Sequence, residues 1–406
     1  MNATPPATGS LAETVAEHLG TDFRAQVFRR THHVIVGAVA DPTAVVSFAA
    51  LNDIIANHRL EPPRLRLSQA GDALPQHRYA IAQTGRRNVV WHKIQPVELH
   101  KRLAEGSTLV LDAIDELCPP VGALAAQIER TLRTGVQVNA YASWTAAEGF
   151  GTHWDDHDVV VVQIEGAKRW KIYGPTRLHP TYRDVQDPEV PTGDPIDEFV
   201  LHPGDMLYLP RGHWHAVTAS EGVRSLHLTC GLQTTTGAEL IVWIADQLRE
   251  LDVVRADLPQ FDSDGAQAEY LARLQKELTA LLDRPNLLPD FFAHRDVTDP
   301  GRLAPSLPYL SGLPSEPDVT VRLLTPRAHL DGHGAAVRLR AGGQSWEFAG
   351  AARPVLEALL MCAPFTLGEL ATRAGLLVSD VAGLVGELVE HQVAAVNAPT
   401  YRREIA

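Results

Sequence analysis

The most informative segment of the chain is Gly151-Thr-His-Trp-Asp-Asp-His-Asp-Val-Val-Val-Val-Gln-Ile-Glu-Gly-Ala-Lys168. Residues 159–164 are β-branched and apolar enough for a buried strand, 165–167 form a short turn, and 168–173 have the pattern of a second strand. The stretch therefore predicts a β-hairpin that begins directly after a cluster of histidine and acidic residues.

That cluster has the composition of a metal site. His153 and Asp155 are two residues apart, so on a strand both side chains leave the same face. His215, at the end of Pro210-Arg-Gly-His-Trp-His215, is available to complete one face of a coordination octahedron. Two histidines and one carboxylate leave positions open for O₂ and a co-substrate, which is typical of non-haem Fe(II) oxygenases. The tripeptide alone is a weak signal, because a chain with 18 histidines and 49 acidic residues contains such tripeptides by chance.

Turns and short strands alternate before His215. Residues 201–205 are a turn, 206–209 a short apolar strand and 210–212 another turn, after which a further strand begins. This order delivers a ligand to the interior of a small barrel. His213 has the same parity as His215, so alternation alone does not exclude it as the ligand. Its place directly after Gly212 favours a rim position, where it faces solvent or supports the ligands.

Lys168 is expected on the apolar side of the second strand, together with Trp170 and Ile172. A buried ammonium group is costly unless an anion meets it, so an inward lysine implies a carboxylate or phosphate partner. An internal ion pair with a protein carboxylate, or a register that lets Lys168 reach solvent, would also explain the residue.

These residues carry a family resemblance. The chain resembles the JmjC-domain ribosomal oxygenases, protein hydroxylases with a JmjC double-stranded β-helix, a helical dimerisation region and a winged helix. The similar segments cover most of residues 20–235 and are Phe23–Val36, Asn139-Ala-Tyr141, Thr152–Asp158, Lys168-Arg-Trp170, Pro203–Gly212, His215 and Ser225–Thr229.

The resemblance implies a ligand set. His153, Asp155 and His215 match the family's iron ligands, and Lys168 matches the basic residue that pairs with the distal carboxylate of 2-oxoglutarate. The implied activity is an Fe(II)-, 2-oxoglutarate- and O₂-dependent hydroxylation of an amino-acid side chain in a protein, such as a ribosomal protein, or in a ribosomally made peptide.

Three further residues are expected near the co-substrate. Asn139 matches a polar position close to the iron and 2-oxoglutarate, although an ordinary strand-end asparagine bonded to the backbone would look the same. His227 and Thr229 share one face of their strand, where they line the co-substrate pocket or, alternatively, belong to the core. The loops 145–150 and 176–198 match no substrate-recognition pattern.

The resemblance also implies how the chain is divided. The fold class is mainly β with α: a cupin-like jelly roll, a helical region and a winged helix. The predicted parts are a flexible leader at 1–20, the catalytic domain at 21–235, the helical dimerisation region with its linker at 236–310 and the winged-helix-like domain at 311–406.

Composition limits the function classes. The 406 residues, 45% hydrophobic, are enough for two or three cores. No window is apolar enough to span a bilayer, and the N-terminus lacks the pattern of a secretory signal. Three separated cysteines indicate a reducing compartment, which we expect to be the cytoplasm. The net charge of −13 argues against direct nucleic-acid binding, which depends on neutralising phosphates with clustered lysine and arginine.

Beyond residue 235 the pattern becomes helical. Residues 236–251 and 266–282 carry apolar side chains at helical spacing, which predicts two amphipathic helices. By resemblance they form a homodimer interface; otherwise they cap the barrel. Seven prolines between 284 and 318 predict a connector without regular structure.

The C-terminal residues predict a compact α+β unit. Strands are expected at 319–324 and 336–340, and helices at 354–361, 367–374 and 379–391, the last capped by Ser379. This is a winged-helix order. The third helix carries two acidic residues between 381 and 390 and no lysine or arginine, which favours a role in protein contacts over DNA reading.

Two other function classes remain open from sequence. One is a cupin-type metal enzyme that uses zinc or manganese without 2-oxoglutarate, as an isomerase or hydrolase, with Lys168 holding a substrate carboxylate or phosphate. The other is a barrel that only binds a partner, against which the intact set of three ligands argues. Lysine demethylation ranks low, because the chain lacks Cys/His zinc-binding reader modules.

Overall fold

The computed structural model describes residues 11–145, 147, 149–177, 179–181, 189–219, 224–332 and 334–396. The chain divides into two compact units between Gln233 and Thr234. The loops at 145–150 and 176–198, together with the first ten residues of the predicted leader, lie partly or wholly outside the described residues.

The first unit is a β-structure with helices packed on one side. Its described helices are α1 (Leu11–His18), α2 (Thr21–Gln26), α3 (Phe48–Asn57), α4 (Pro96–Ala104) and α5 (Pro119–Leu132). Its described strands are β1 (His33–Ile35), β2 (Leu65–Gln69), β3 (Asp72–Ala73), β4 (Ala80–Thr84), β5 (Val90–Ile94), β6 (Thr108–Leu111), β7 (Val136–Ser143), β8 (Asp158–Glu165), β9 (Lys168–Pro175), β10 (Asp197–Leu201), β11 (Met206–Leu209), β12 (His213–Ala219) and β13 (Ser225–Leu232).

Two antiparallel sheets build the barrel. The larger has the order β1-β11-β8-β13-β7-β6-β2-β3, and the smaller has the order β10-β9-β12. Alternation along β8 separates two cores. Val160 and Val162 pack in the core shared with the helices, whereas Val159 and Val161 pack with Trp170 of β9 between the sheets. This jelly-roll arrangement confirms the predicted fold class of the barrel.

The predicted hairpin of β8 and β9 is wrong. Both strands exist, but β8 pairs with β11 and β13 in the larger sheet, while β9 pairs with β10 and β12 in the smaller one. The turn at Gly166 is a corner between the sheets. Gly166 has a backbone φ of +65°. It also lies so close to Arg224 that a Cβ at this position would be 1.9 Å from the carbonyl oxygen of Arg224.

Part of the predicted flexible leader is helical. In α1, Val15 is only 1% exposed, and Leu19 just beyond the helix is fully buried. Both side chains join the core beneath the larger sheet. Apolar residues one turn apart gave this segment a face to bury, so it does not behave as a leader.

The second unit begins with helices α6 (Gly237–Leu248), α7 (Asp252–Arg255), α8 (Asp264–Leu282) and α9 (Leu287–Val297). The two predicted amphipathic helices are confirmed by α6 and α8. The expectation of no regular structure at 284–318 is wrong, since α9 lies within it. Pro289 is compatible with this helix because it occupies the first turn, where backbone N–H groups have no partner within the helix.

The remainder of the second unit is α+β. It contains β14 (Thr320–Leu323), β15 (His329–Asp331), β16 (Ala336–Ala341), β17 (Gln344–Ala349), α10 (Arg353–Leu359), β18 (Phe365–Thr366), α11 (Leu367–Ala374), α12 (Val378–Glu390) and β19 (Ala394–Val396). The expected strands and helices are present. The predicted cap is wrong, because Leu377 is the N-cap of α12 and makes no side-chain capping bond, while Ser379 lies inside the helix.

Candidate metal centre

His153, Asp155 and His215 come together at one end of the barrel. One ligand atom from each lies within 4.8 Å of the other two. The backbones of His153 and His215 hold each other through two hydrogen bonds, of 3.0 Å and 2.8 Å. The N–H of Gly212 donates to the carbonyl oxygen of Asp155 at 2.8 Å, which fixes the third residue against the turn that precedes His215. Backbone bonds therefore position all three side chains before any metal is considered.

The backbone also orients both imidazoles. Nδ1 of His153 lies 3.0 Å from the carbonyl oxygen of Gly151, and Nδ1 of His215 lies 3.0 Å from that of His213. A carbonyl oxygen only accepts, so each Nδ1 carries the proton and each Nε2 keeps its lone pair. This is the second-shell arrangement that fixes the tautomer of a metal-binding histidine.

The electrostatics favour neutral imidazole. Burial, followed by the neighbouring His153, lowers the pKa of His215 to about 4. Its Nε2 lies 3.8 Å from the Asp155 carboxylate, and the Trp170 ring stacks over it with centroids 5.6 Å apart. Metal binding requires a deprotonated donor, which His215 supplies at neutral pH without first losing a proton. Two imidazoles and one carboxylate fit a divalent transition metal with open coordination positions.

Lys168 lies inside the barrel, as its parity predicted. It is 4% exposed, on the same face of β9 as Trp170 and Ile172. Burial lowers the pKa of Lys168 to about 8. Among the described residues, no carboxylate forms an ion pair with it, so the alternative of an internal ion pair finds no support in this part of the chain. A buried cation of this kind favours an anionic ligand.

The interior of the barrel also contains buried polar atoms that have no hydrogen-bond partner among the described residues. Nδ1 of His227, Nε1 of Trp170, Oε1 of Gln163 and Oγ of Ser143 are buried and make no hydrogen bond with any described residue. Gln163 and His227 are register partners on β8 and β13, and Lys168 acts electrostatically on His227. Unsatisfied buried atoms are costly, so their concentration beside a buried cation fits a polar, anionic small molecule.

His227 is held neutral in this space. Burial, and then Lys168, lowers its pKa well below the usual value. Its ring lies parallel to that of Tyr141, with centroids 5.0 Å apart and an angle of 6°. The structure thus places His227 facing the interior rather than in the outer core.

Asn139 and Thr229 are register partners on β7 and β13. The Asn139 side-chain oxygen accepts the backbone N–H of Ala113 at 3.0 Å and the amide of Gln137 at 3.2 Å. The bond with Ala113 agrees with the alternative that Asn139 is an ordinary strand asparagine bonded to the backbone. Contact of Asn139 or Thr229 with a co-substrate stays a prediction.

His213 lies outside the cluster. It is half-buried, and its backbone carbonyl, not its ring, supports His215. Burial lowers the pKa of its imidazole. The predicted supporting position at the rim agrees with this geometry.

Sequence reasoning missed two residues of the interior. Burial, and then the charge of Asp155, raises the pKa of Tyr141 to about 12, so its phenol stays protonated beside the metal centre. Gln163 interrupts an otherwise apolar strand, and its amide donates to the hydroxyl of Ser225 at 2.9 Å. That interruption was a usable signal, whereas Tyr141 needed the pairing of β7 with β13 to place it.

Comparison with known proteins gives three kinds of match. The JmjC domain family model matches residues 119–240. A "bifunctional lysine-specific demethylase and histidyl-hydroxylase NO66" of Drosophila persimilis is 38% identical over 106 residues, which are 26% of this chain and 15% of that protein. Human ribosomal oxygenase 1 is 32% identical over 159 residues, or 37% of this chain and 25% of that protein. Rat ribosomal oxygenase 2 is 41% identical over 93 residues, or 22% and 20%.

The solved structures of YcfD, a ribosomal oxygenase from Escherichia coli, share the fold. One matches with a TM-score of 0.56 and 19% identity over 93% of this chain and 97% of YcfD. A complex of YcfD with cobalt and 2-oxoglutarate matches with a TM-score of 0.57 and 18% identity over 93% and 98%.

The chain contains a JmjC domain, and its relatives over this region include ribosomal oxygenases and NO66 proteins. The resemblance inferred from the sequence motifs is therefore confirmed, and the JmjC domain at 119–240 contains all three candidate ligands. The chain spans a quarter or less of each curated relative named above. None of the described helices is both long and apolar enough to cross a membrane.

Proposed function

We propose that this JmjC ribosomal oxygenase is an Fe(II)- and 2-oxoglutarate-dependent hydroxylase of an amino-acid side chain in a protein. The observation that carries the proposal is a buried lysine without a carboxylate partner among the described residues, in the same barrel as a set of two histidines and one carboxylate. A metal isomerase or hydrolase would also need the three ligands and an anionic substrate at Lys168, but the JmjC match favours the oxygenase.

The proposed roles follow from the contacts. His153, Asp155 and His215 hold Fe(II), and Lys168 pairs with the distal carboxylate of 2-oxoglutarate. Iron with 2-oxoglutarate and O₂ supplies the oxidation, in which the oxo acid becomes succinate and CO₂ and a substrate C–H bond gains one oxygen atom. Trp170 covers one face of His215 and limits the access of water to that ligand.

The substrate proposal is a ribosomal protein. Support comes from the family and from the relatives' names, which describe ribosomal oxygenases and a histidyl-hydroxylase. Demethylation of lysine remains the less favoured activity.

The deciding experiment measures succinate formation from 2-oxoglutarate by protein given Fe(II) and then O₂. Wild type should form succinate. His215→Ala should lose at least about a hundredfold, because removal of a metal ligand costs more than removal of its support. Lys168→Ala should also lose most of its turnover, because the distal carboxylate of 2-oxoglutarate would then have no cation to pair with. His213→Ala is the matched control and should retain most turnover, since the backbone carbonyl that supports His215 remains. Equal activity of His213→Ala and His215→Ala, or of wild type and Lys168→Ala, would contradict the proposed roles.

Substrate identity needs a second measurement. Purified ribosomal proteins incubated with the active enzyme should include one that gains a single oxygen atom by mass spectrometry, in a 2-oxoglutarate-dependent manner. Loss of a methyl group instead would favour demethylation.

We further propose a homodimer formed through the helices at 236–310. Several apolar side chains of these helices are exposed although others are buried within the unit, namely Ile241, Val242, Leu271, Leu288 and Phe292. We also propose that residues 311–406 form a winged-helix-like domain that contacts other proteins. A cytoplasmic location is proposed because the three cysteines are free.

A further inference from the structure

The first unit contains a large groove that shares no residue with the metal centre. It has a volume of about 1080 Å³ and lies between α3, β5 and α4. Its floor is apolar, with Leu51, Leu99 and Leu103 each buried. The rings of Phe48 and Trp144, 5.5 Å apart, form one wall. Cavities of this volume and composition hold drug-sized ligands.

The rim of the groove is cationic. Arg59 and Lys93 line it and are exposed, and no aspartate or glutamate is among the described residues that line it. The guanidinium of Arg59 lies 4.0 Å from the centroid of the Trp91 ring, which holds the charge at the edge of the apolar space. An apolar floor with cations at the edge is complementary to an apolar chain that ends in an anion.

A hydrogen bond from β5 to Glu61 holds the β5 wall of the groove in place in the free protein. Glu61, which does not line the groove, accepts the backbone N–H of His92 at 2.7 Å and lies 4.0 Å from Arg59. The bond to His92 ties β5 to the segment that follows α3. Because this bond already connects β5 to the segment after α3, ligand binding requires little reorganisation of the groove.

We propose that this groove binds a long-chain carboxylate, with the alkyl chain over Leu51, Leu99 and Leu103 and the carboxylate at Arg59 and Lys93. The groove is complementary to a small amphipathic anion. Its concave apolar floor accommodates an alkyl chain, and its two exposed cations favour one negative head group. The proposal is independent of the oxygenase activity, since no candidate metal ligand lines the groove.

The first test is calorimetric titration of the full chain with dodecanoate, decanoate and octanoate below their micelle concentrations. Saturable binding at one site should weaken roughly fourfold for each methylene removed. Decan-1-ol should bind about fivefold more weakly than decanoate, and decyltrimethylammonium more weakly still. Absence of saturable dodecanoate binding, or equal binding of decanoate, the alcohol and the cation, would overturn the proposal.

Two matched pairs of variants locate the binding. Ala56→Trp fills the groove from α3 and should abolish binding, whereas Ala49→Trp, exposed on the same helix but outside the groove, should not. Lys93→Gln should weaken decanoate binding about twofold, because Arg59 still pairs with the carboxylate, and Lys101→Gln on α4, also exposed and outside the groove, should leave it unchanged. Equal binding within both pairs would place the ligand elsewhere and reject the groove. Succinate formation measured in parallel separates this result from failure of the proposed oxygenase.

Discussion

Among single residues, Lys168 has the clearest pH dependence. Burial depresses its pKa from the usual 10.5 to about 8, so between these values the unfolded chain binds more protons than the folded chain. The contribution of Lys168 to stability therefore rises with pH through this window, and at pH 7 the buried ammonium costs about 3 kcal/mol. We expect Lys168→Met to unfold with a higher free energy than wild type at pH 7, with the difference closing towards pH 10.5.

Urea unfolding of the metal-free protein at several pH values measures this difference. Lys171→Met on the same strand is the control, because Lys171 lies on the opposite face of β9 and is less buried. A pH-independent difference for Lys168→Met would mean that the folded pKa is close to the ordinary value.

The same pKa predicts the pH dependence of co-substrate binding. If 2-oxoglutarate pairs with protonated Lys168, its affinity should fall above pH 8, by up to about tenfold per pH unit. Titration of 2-oxoglutarate into the anaerobic Mn(II)-loaded protein between pH 7 and 9.5 tests this. A flat profile would remove Lys168 from the co-substrate site.

Replacing Asn139 tests whether this residue has a structural role or binds the co-substrate. Its side chain accepts the N–H of Ala113, a residue whose φ of +50° lies in the left-handed region. We expect Asn139→Ala to lower the free energy of unfolding by about 1–2 kcal/mol, because the buried N–H loses its partner. The 2-oxoglutarate affinity of the same variant separates the two roles: a large loss would support co-substrate contact by Asn139, and a change of less than twofold would leave it a structural role only.

At the scale of elements, the corner at Gly166 lets β8 and β9 lie in different sheets. Gly166→Ala should destabilise the protein by about 3 kcal/mol or more, because a Cβ there would overlap the Arg224 carbonyl. Gly37→Ala is the matched control: Gly37 has a φ of +66° but nothing within 4 Å of its Cβ position, so it should cost only about 1 kcal/mol. Equal costs, measured by urea unfolding, would show that the close contact is not what makes the corner.

Local patterns predicted the strands around the metal ligands and several elements of the second unit, but not their pairing. The valines of β8 and the alternation of β9 were readable, because each side chain's direction follows from its neighbours in sequence. The sheet that each strand joins depends on distant partners such as β11 and β12, and no local pattern contains that information. The proline count misled at α9, because a proline in the first turn does not end a helix.

For the whole molecule, the testable property is association. Ile241 and Leu271 are 66% and 61% exposed on α6 and α8. If these helices form the dimer interface, Ile241→Glu and Leu271→Glu should shift the protein to a monomer, since each places a charge in an apolar contact. Light scattering coupled to size exclusion measures the mass. Leu377→Glu, at a residue 69% exposed beside α12, should leave the mass unchanged.

Sequence alone was enough to identify the candidate ligands, the inward direction of Lys168, the resemblance to JmjC ribosomal oxygenases, and several helices and strands near the ligands and in the second unit. These features follow from residue type and spacing over a few positions, or from motifs along the chain. The folded structure was needed to show that β8 and β9 separate at Gly166, and that Gln163, Trp170 and His227 carry unpartnered buried polar atoms, with His227 near enough to Lys168 to feel its charge. It also decided where the apolar groove lies. These features depend on residues far apart in sequence being brought together, and their burial, which sets the pKa of Lys168, exists only in the folded chain.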